Sequence, residues 1–318
     1  MAPRLVFVHG IGRPSDPKSK LLPWTQALIE GSLAAGHSRF AQWLSAASQD
    51  KVVLAYYGDL FSNAGAQGAR IEDISEPELD ILTDFIREIL EEQLADGPEE
   101  EVRDVMERAL LQLAPTGEPQ GPGHAVRHII VALTTLLSVR PLRGAGDWAG
   151  GKFLLSDLAQ VARYLSRGES GPGVPALDER IRAQVSEAIG DGPAVVAAHS
   201  LGSVVAMETL HRHAADVPLL ATFGSPIAMR SVVWTKIDPQ PPRTPELVGR
   251  WLNFWDRDDV IVARPHLERD IKPNTAGVLP VSSRIDSDGL WTHSAVKYLR
   301  QPAVAGPIAE AAETIGLL

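Results

Sequence analysis

The 318-residue chain contains no cysteine. That excludes disulfides, thiolate metal sites and a cysteine nucleophile, and it suits a reducing, cytoplasmic setting. Long apolar runs are also missing. The most apolar stretch, "IIVALTTLLSV" from Ile129 to Val139, is flanked by Arg127, His128 and Arg140 and falls short of the roughly 20 residues a spanning helix needs. Near the start only Leu5–Val8 is apolar, too short for a signal-peptide core. Neither a membrane span nor secretion is therefore expected. No basic stripe is present, which argues against a nucleic-acid partner. There is no H-E-x-x-H, no Walker motif and no G-x-G-x-x-G after a strand. His124 and His128, at i,i+4 spacing, and the close pair His211 and His213 read as solvated helix faces. The expectation is no metal and no cofactor.

What is present suits a large core: 44% of residues are hydrophobic and 22% charged. The net charge of -10 is not spread evenly. From Glu72 to Glu107 there are 15 acidic residues against 2 basic ones, and the rest of the chain sums to +3. Candidate strands are Arg4–Val8, Lys51–Tyr57, Ala194–Ala198, Leu219–Phe223 and Arg250–Trp255, with a weaker one near Val278–Ile285. Helical patterns fall at Trp24–Ala35, Leu177–Ile189, Leu201–His213 and, weakly, Ala303–Ile315. This alternation predicts an α/β fold with a mostly parallel sheet covered by helices on both faces. Between Tyr57 and Pro175 the strands stop and helical periodicity takes over, broken by Gly/Pro clusters such as "APTGEPQGPG". The chain thus divides into a core, residues 1–60 and 176–318, and a helical insertion, residues 61–175.

Two motifs carry chemistry. In "AAHSLGSVVAMETL" an apolar strand ends at His199 and Ser200, and a helix opens at Leu201. The order Ala198-x-Ser200-x-Gly202 suits a nucleophile elbow, a turn so tight that the residues two before and two after the serine must be small. In "LVFVHGIG" the first strand ends in His9-Gly10-Ile11-Gly12. The glycines there let the main chain turn a backbone N–H toward a developing oxyanion. Together the motifs resemble the α/β-hydrolase superfamily, particularly its lipase and esterase members, over about residues 1–60 and 176–300. Alanine at 198 departs from that family's usual glycine, as it does in some bacterial lipases. "TFGSPI", Thr222–Ile227, looks like the turn after the family's next strand.

The resemblance implies oxyanion donors at Ile11 and Leu201, with His9 and His199 orienting their loops rather than moving protons. It also implies the chain order nucleophile, acid, histidine. His293, in "DGLWTHSAVKYL", has the right order and setting for the base. "RWLNFWDRDDVIV" offers three acids. Asp259, followed by Val260, Ile261 and Val262, fits the family spacing best. Asp256 is the alternative acid, although as a continuation of the strand it suits bonds to loop amides, and Asp258 should point away and stay solvated. The expected chemistry is two-step acyl transfer from a carboxylic ester, the substrate being a small-molecule or lipid-like acyl ester. Thioesterase, amidase or acyltransferase chemistry runs on the same triad. A different reading makes the acidic insertion a module that binds a protein partner. In the hydrolase reading the insertion is a cap, with "IIVALTTLLSV" roofing the acyl pocket and the acidic faces left in water.

Overall fold

The computed structural model describes residues 2–11, 16–48, 50–61, 74–95, 97–113, 122–136, 151–168, 173–259, 261–262, 264–287 and 293–318, of which 122–125, 134, 136 and 151–157 are described as backbone alone. Six strands, β1 (Arg4–Val8), β2 (Val52–Ala55), β3 (Ala194–His199), β4 (Leu219–Phe223), β5 (Trp251–Asp256) and β6 (Pro280–Ile285), form one sheet in the order β2-β1-β3-β4-β5-β6. Every neighbouring pair is parallel, so a sheet expected to be mostly parallel is wholly so among the described residues. Parallel strands need crossover connections. Helices α1 (Pro17–Ala34), α2 (Ser38–Ala46), α3 (Glu76–Ala95), α4 (Glu100–Leu113), α5 (Pro122–Leu136), α6 (Gly151–Leu165), α7 (Leu177–Ile189), α8 (Leu201–Leu210), α9 (Ala295–Arg300) and α10 (Pro302–Thr314) supply most of them.

The period-two alternation of the strands sorts their side chains between the faces. Leu5, Phe7, Val195, Ala197, Leu219 and Ala221 pack with apolar side chains of α1, α2, α9 and α10. Val6, Val8, Val196, Ala198 and Leu220 pack with α7, α8 and the helices of the insertion. Leu82 and Phe85 of α3, Met106 of α4, Leu133 of α5 and Ala162 of α6 belong to that same cluster. The insertion therefore shares its interior with the sheet.

Several boundaries differ from the sequence reading. The second strand stops at Ala55, because Tyr56 and Tyr57 lead into a 3₁₀ turn at Gly58–Phe61. The fifth strand extends through Asp256, which pairs with Ile285. The first helix starts seven residues before Trp24, at Pro17, where the Asp16 side chain accepts the Lys18 N–H and proline occupies the first turn. Pro23 lies inside the helix. α2 was not anticipated, and α8 ends at Leu210, short of His213.

The acidic faces of the insertion do not all stay in water. Glu78 and Glu88 of α3 are buried. Glu78 accepts the Ser75 N–H and hydroxyl and lies 3.8 Å from Arg163. Glu88 accepts the N–H groups of Arg230 and Ser231 and the Ser231 hydroxyl. Buried carboxylates persist when such donors replace water. Leu136 as a side chain and Leu137 altogether, expected on the pocket roof, lie outside the described residues. No described helix is long and apolar enough to cross a membrane.

Candidate active site

From β1 the chain passes outward to β2, and after the insertion it returns to β3 on the other side of β1. Such a reversal of strand order marks the carboxyl ends of β1 and β3 as the place where parallel α/β sheets bind their ligands. Ser200 sits at the end of β3, immediately before α8, with φ +54° and ψ −132°. A non-glycine residue there is strained, and the neighbouring packing holds it. Its N–H donates to the Phe223 carbonyl, and the Ser203 N–H and hydroxyl donate back to its carbonyl. The small residues demanded by the motif have visible causes. A Cβ on Gly202 would stand 2.4 Å from the His9 carbonyl oxygen, and one on Gly10 would stand 2.6 Å from the Ser200 Cβ. The loop after β1 therefore lies directly against the elbow. Ile11 follows Gly10 in that loop, and Leu201 opens α8, where the first N–H groups have no partner within the helix. Both expected oxyanion donors thus belong to segments flanking Ser200.

The structure brings Ser200, His293 and Asp259 into one hydrogen-bonded line across 93 and 34 residues of sequence separation. His293 Nε2 is 2.9 Å from Ser200 Oγ, and its Nδ1 is 2.9 Å from each Asp259 carboxylate oxygen. An ionised carboxylate only accepts, so Nδ1 carries the proton and Nε2 is left to accept from the serine hydroxyl. All three residues are buried. The Asp259 carboxylate also accepts the Ile261 N–H at 3.1 Å and the Tyr298 hydroxyl at 2.8 Å.

Asp256 and Asp258 take other parts. Asp256 is buried as deeply as Asp259, but its carboxylate accepts the N–H of Asp258 and both the N–H and hydroxyl of Ser287. It ties the acid loop to the segment after β6. Asp258 is exposed.

The two remaining histidines of the motifs are held uncharged by burial. His9 Nδ1 lies 2.6 Å from the Gly10 carbonyl and Nε2 accepts the Tyr57 N–H, while the Tyr57 hydroxyl donates to the His9 carbonyl. Burial, reinforced by the Lys20 charge, pushes the His9 ring down to about 3. His199 is packed among Trp24, Phe223, His293 and Tyr298, and its Nε2 has no hydrogen-bond partner among the described residues. Burial, with smaller contributions from His293 and Lys20, holds it well below the ordinary histidine range.

Tyr57, Tyr298 and Gly224 are site residues that the sequence reading missed. Gly224, in "TFGSPI", has φ +57°, and a Cβ there would stand 3.0 Å from Asp259 Oδ2 and 3.2 Å from His293 Cε1. Its turn therefore does more than support the fold. Of the histidine pairs considered as ligands, His128 contacts the Gln112 carbonyl, His211 the Arg243 carbonyl, and His213 both Ser186 and Gly190. The side chain of His124 is outside the described ones. No family model, curated protein or solved structure matches the chain.

Proposed function

We propose that this chain is a serine hydrolase of the α/β-hydrolase superfamily that cleaves carboxylic esters through an acyl-enzyme. The observation that carries the reading is the continuous line from Ser200 Oγ through His293 to Asp259, with each contact at 2.9 Å, at the switch point of a parallel sheet. Nothing structural explains why a strained, buried serine should be aimed at an imidazole whose other nitrogen faces a carboxylate. Nucleophilic catalysis does explain it.

In this reading His293 takes the Ser200 proton as Oγ adds to the ester carbonyl. Asp259 holds the ring in the tautomer that accepts this proton and stabilises the imidazolium that forms. The N–H groups of Ile11 and Leu201 receive the tetrahedral oxyanion, a contribution of about 3 kcal/mol per donor. The imidazolium then protonates the leaving alcohol, and water deacylates the serine by the same steps in reverse. No cofactor enters this scheme. The helical insertion is the cap, and Glu88 fastens it to residues 230–231, beyond the turn that follows β4. The absence of cysteine supports a reducing, cytoplasmic setting.

A fluorophosphonate probe requires an activated serine and no knowledge of the substrate. Wild-type protein should label at Ser200 and hydrolyse p-nitrophenyl esters. Ser200→Ala should lose labelling and drop roughly 10⁵- to 10⁶-fold in turnover while melting as wild type does. Undiminished hydrolysis by that variant would end the reading.

A further inference from the structure

The scheme above leaves one buried hydroxyl at the site unused. Tyr298 lies on α9, five residues after His293, and is fully buried. Its oxygen accepts the Asp256 N–H at 3.1 Å and lies 2.8 Å from Asp259 Oδ2. A main-chain N–H only donates and a carboxylate only accepts, so the single phenolic proton is committed to Asp259. The phenol spans both ends of the acid loop, gripping Asp256 by its backbone and Asp259 by its side chain.

On the hydrolase reading, we propose that Tyr298 is a positioning residue that fixes the Asp259 carboxylate and disperses part of its charge, thereby setting how strongly His293 is drawn toward the imidazolium. The geometry gives both halves of this role. Oδ1 is held by the Ile261 N–H and Oδ2 by Tyr298, and this pins the carboxylate so that its two oxygens stand equally far from His293 Nδ1. The segment from His293 to Tyr298 thus carries both the base and the clamp on its acid, so displacement of one displaces the other.

Burial, followed by the adjacent Asp259 charge, holds the Tyr298 phenol well above its ordinary range, and it remains a donor through the working pH. Among the described residues, few other ionisable groups face this assembly. Asp256 is already bonded to Ser287 and Asp258, the His199 ring is uncharged, and His9 and Lys20 act on His199 from the β1 loop and α1. Removing the phenolic proton would leave the Asp259 charge less dispersed, and a more concentrated charge stabilises the imidazolium. The acid limb of activity then moves to higher pH.

The test is the second-order rate of fluorophosphonate labelling from pH 5 to 9 on the full chain, with a thermal melt of each protein. Tyr298→Phe should shift the acid limb upward by about half a pH unit or more and lower the plateau roughly tenfold. Site-specific 3-fluorotyrosine at position 298, a stronger donor of nearly the same size, should shift the limb downward. A purely structural tyrosine would move the melting temperature and leave the limb in place. If Tyr298→Phe does not fold, the fluorotyrosine protein decides by itself: a downward shift supports the assignment and an unmoved limb overturns it. A folded Tyr298→Phe with wild-type limb and plateau also overturns it, with the hydrolase reading intact. Wild-type protein that fails to label at Ser200 overturns both.

Discussion

The carboxyl edge of the sheet and the seam between insertion and core both bury ionisable groups, but with opposite kinds of partner. At the edge, one carboxylate, Asp259, faces an imidazole and a phenol, and two further histidines are kept uncharged by burial. At the seam, Glu208 of α8 receives Arg167 and Arg182 together with the Tyr164 hydroxyl, and Asp178 shares both arginines. A guanidinium stays protonated at any working pH. The seam sets carboxylates against guanidiniums, whereas the edge sets one against an imidazole and a phenol. The same pressure to give buried charges polar partners yields ion pairs in one place and, on the hydrolase reading, a proton path in the other.

The sharpest test of that contrast is within the acid loop itself. Asp259→Asn keeps the size of the side chain but offers His293 the wrong partner, and turnover should fall by up to roughly 10⁴-fold with little change in melting. Asp256→Asn should behave like a seam mutation. It costs an acceptor at Ser287, destabilises by about 1–3 kcal/mol and leaves most turnover in the folded protein. Steady-state ester hydrolysis and urea unfolding of both variants decide the matter. A crippled Asp256→Asn beside a near-normal Asp259→Asn would transfer the acid role to Asp256.

The seam has a converse test. Glu208→Ala leaves Arg167 and Arg182 near each other with Asp178 as their remaining carboxylate. Breaking a buried pair in this way costs about 3–5 kcal/mol, and the lower end is expected because Arg167 is partly exposed. Urea unfolding should show the loss, while Ser200 in the folded fraction keeps labelling. Lost labelling at unchanged stability would make the seam part of the site and erase the distinction.

Much of the edge was legible in the sequence because its requirements are local. Ala198, Ser200 and Gly202 declare a tight turn within five residues, whereas Asp259 was preferred on the spacing that the hydrolase resemblance implies. The β3 strand reads as an apolar run from Ala194 to Ala198, and β4 is apolar apart from Thr222, because both faces of these strands are buried. The seam was not legible. Glu78 and Glu88 occur in a run of acidic residues on amphipathic helices, a pattern that ordinarily means a solvated face, and the donors that bury Glu88 come from residues 230 and 231. Tyr57 and Tyr298 were missed for the same reason, since their partners lie 48 and 39 residues away.

The last expected effect concerns His9, where the burial of an uncharged imidazole becomes a stability property. In the unfolded chain His9 titrates near 6.5, and in the fold burial pushes it down to about 3. At pH 7 both states hold it neutral and no difference arises. As the pH falls below 6.5 the unfolded chain binds a proton that the folded protein refuses, so stability present above that pH is lost progressively toward pH 3. Between pH 6.5 and 4.5 the loss should amount to about 2–3 kcal/mol. His199, shifted in the same direction, adds its own slope to the wild-type curve, so the informative quantity is a difference. His9→Gln removes the titrating group, and the stability advantage of wild type over this variant, measured by urea unfolding, should shrink by those 2–3 kcal/mol between pH 6.5 and 4.5. Parallel curves over that range would mean that the folded protein accepts a proton on His9 without penalty, and that burial there does not keep the ring uncharged.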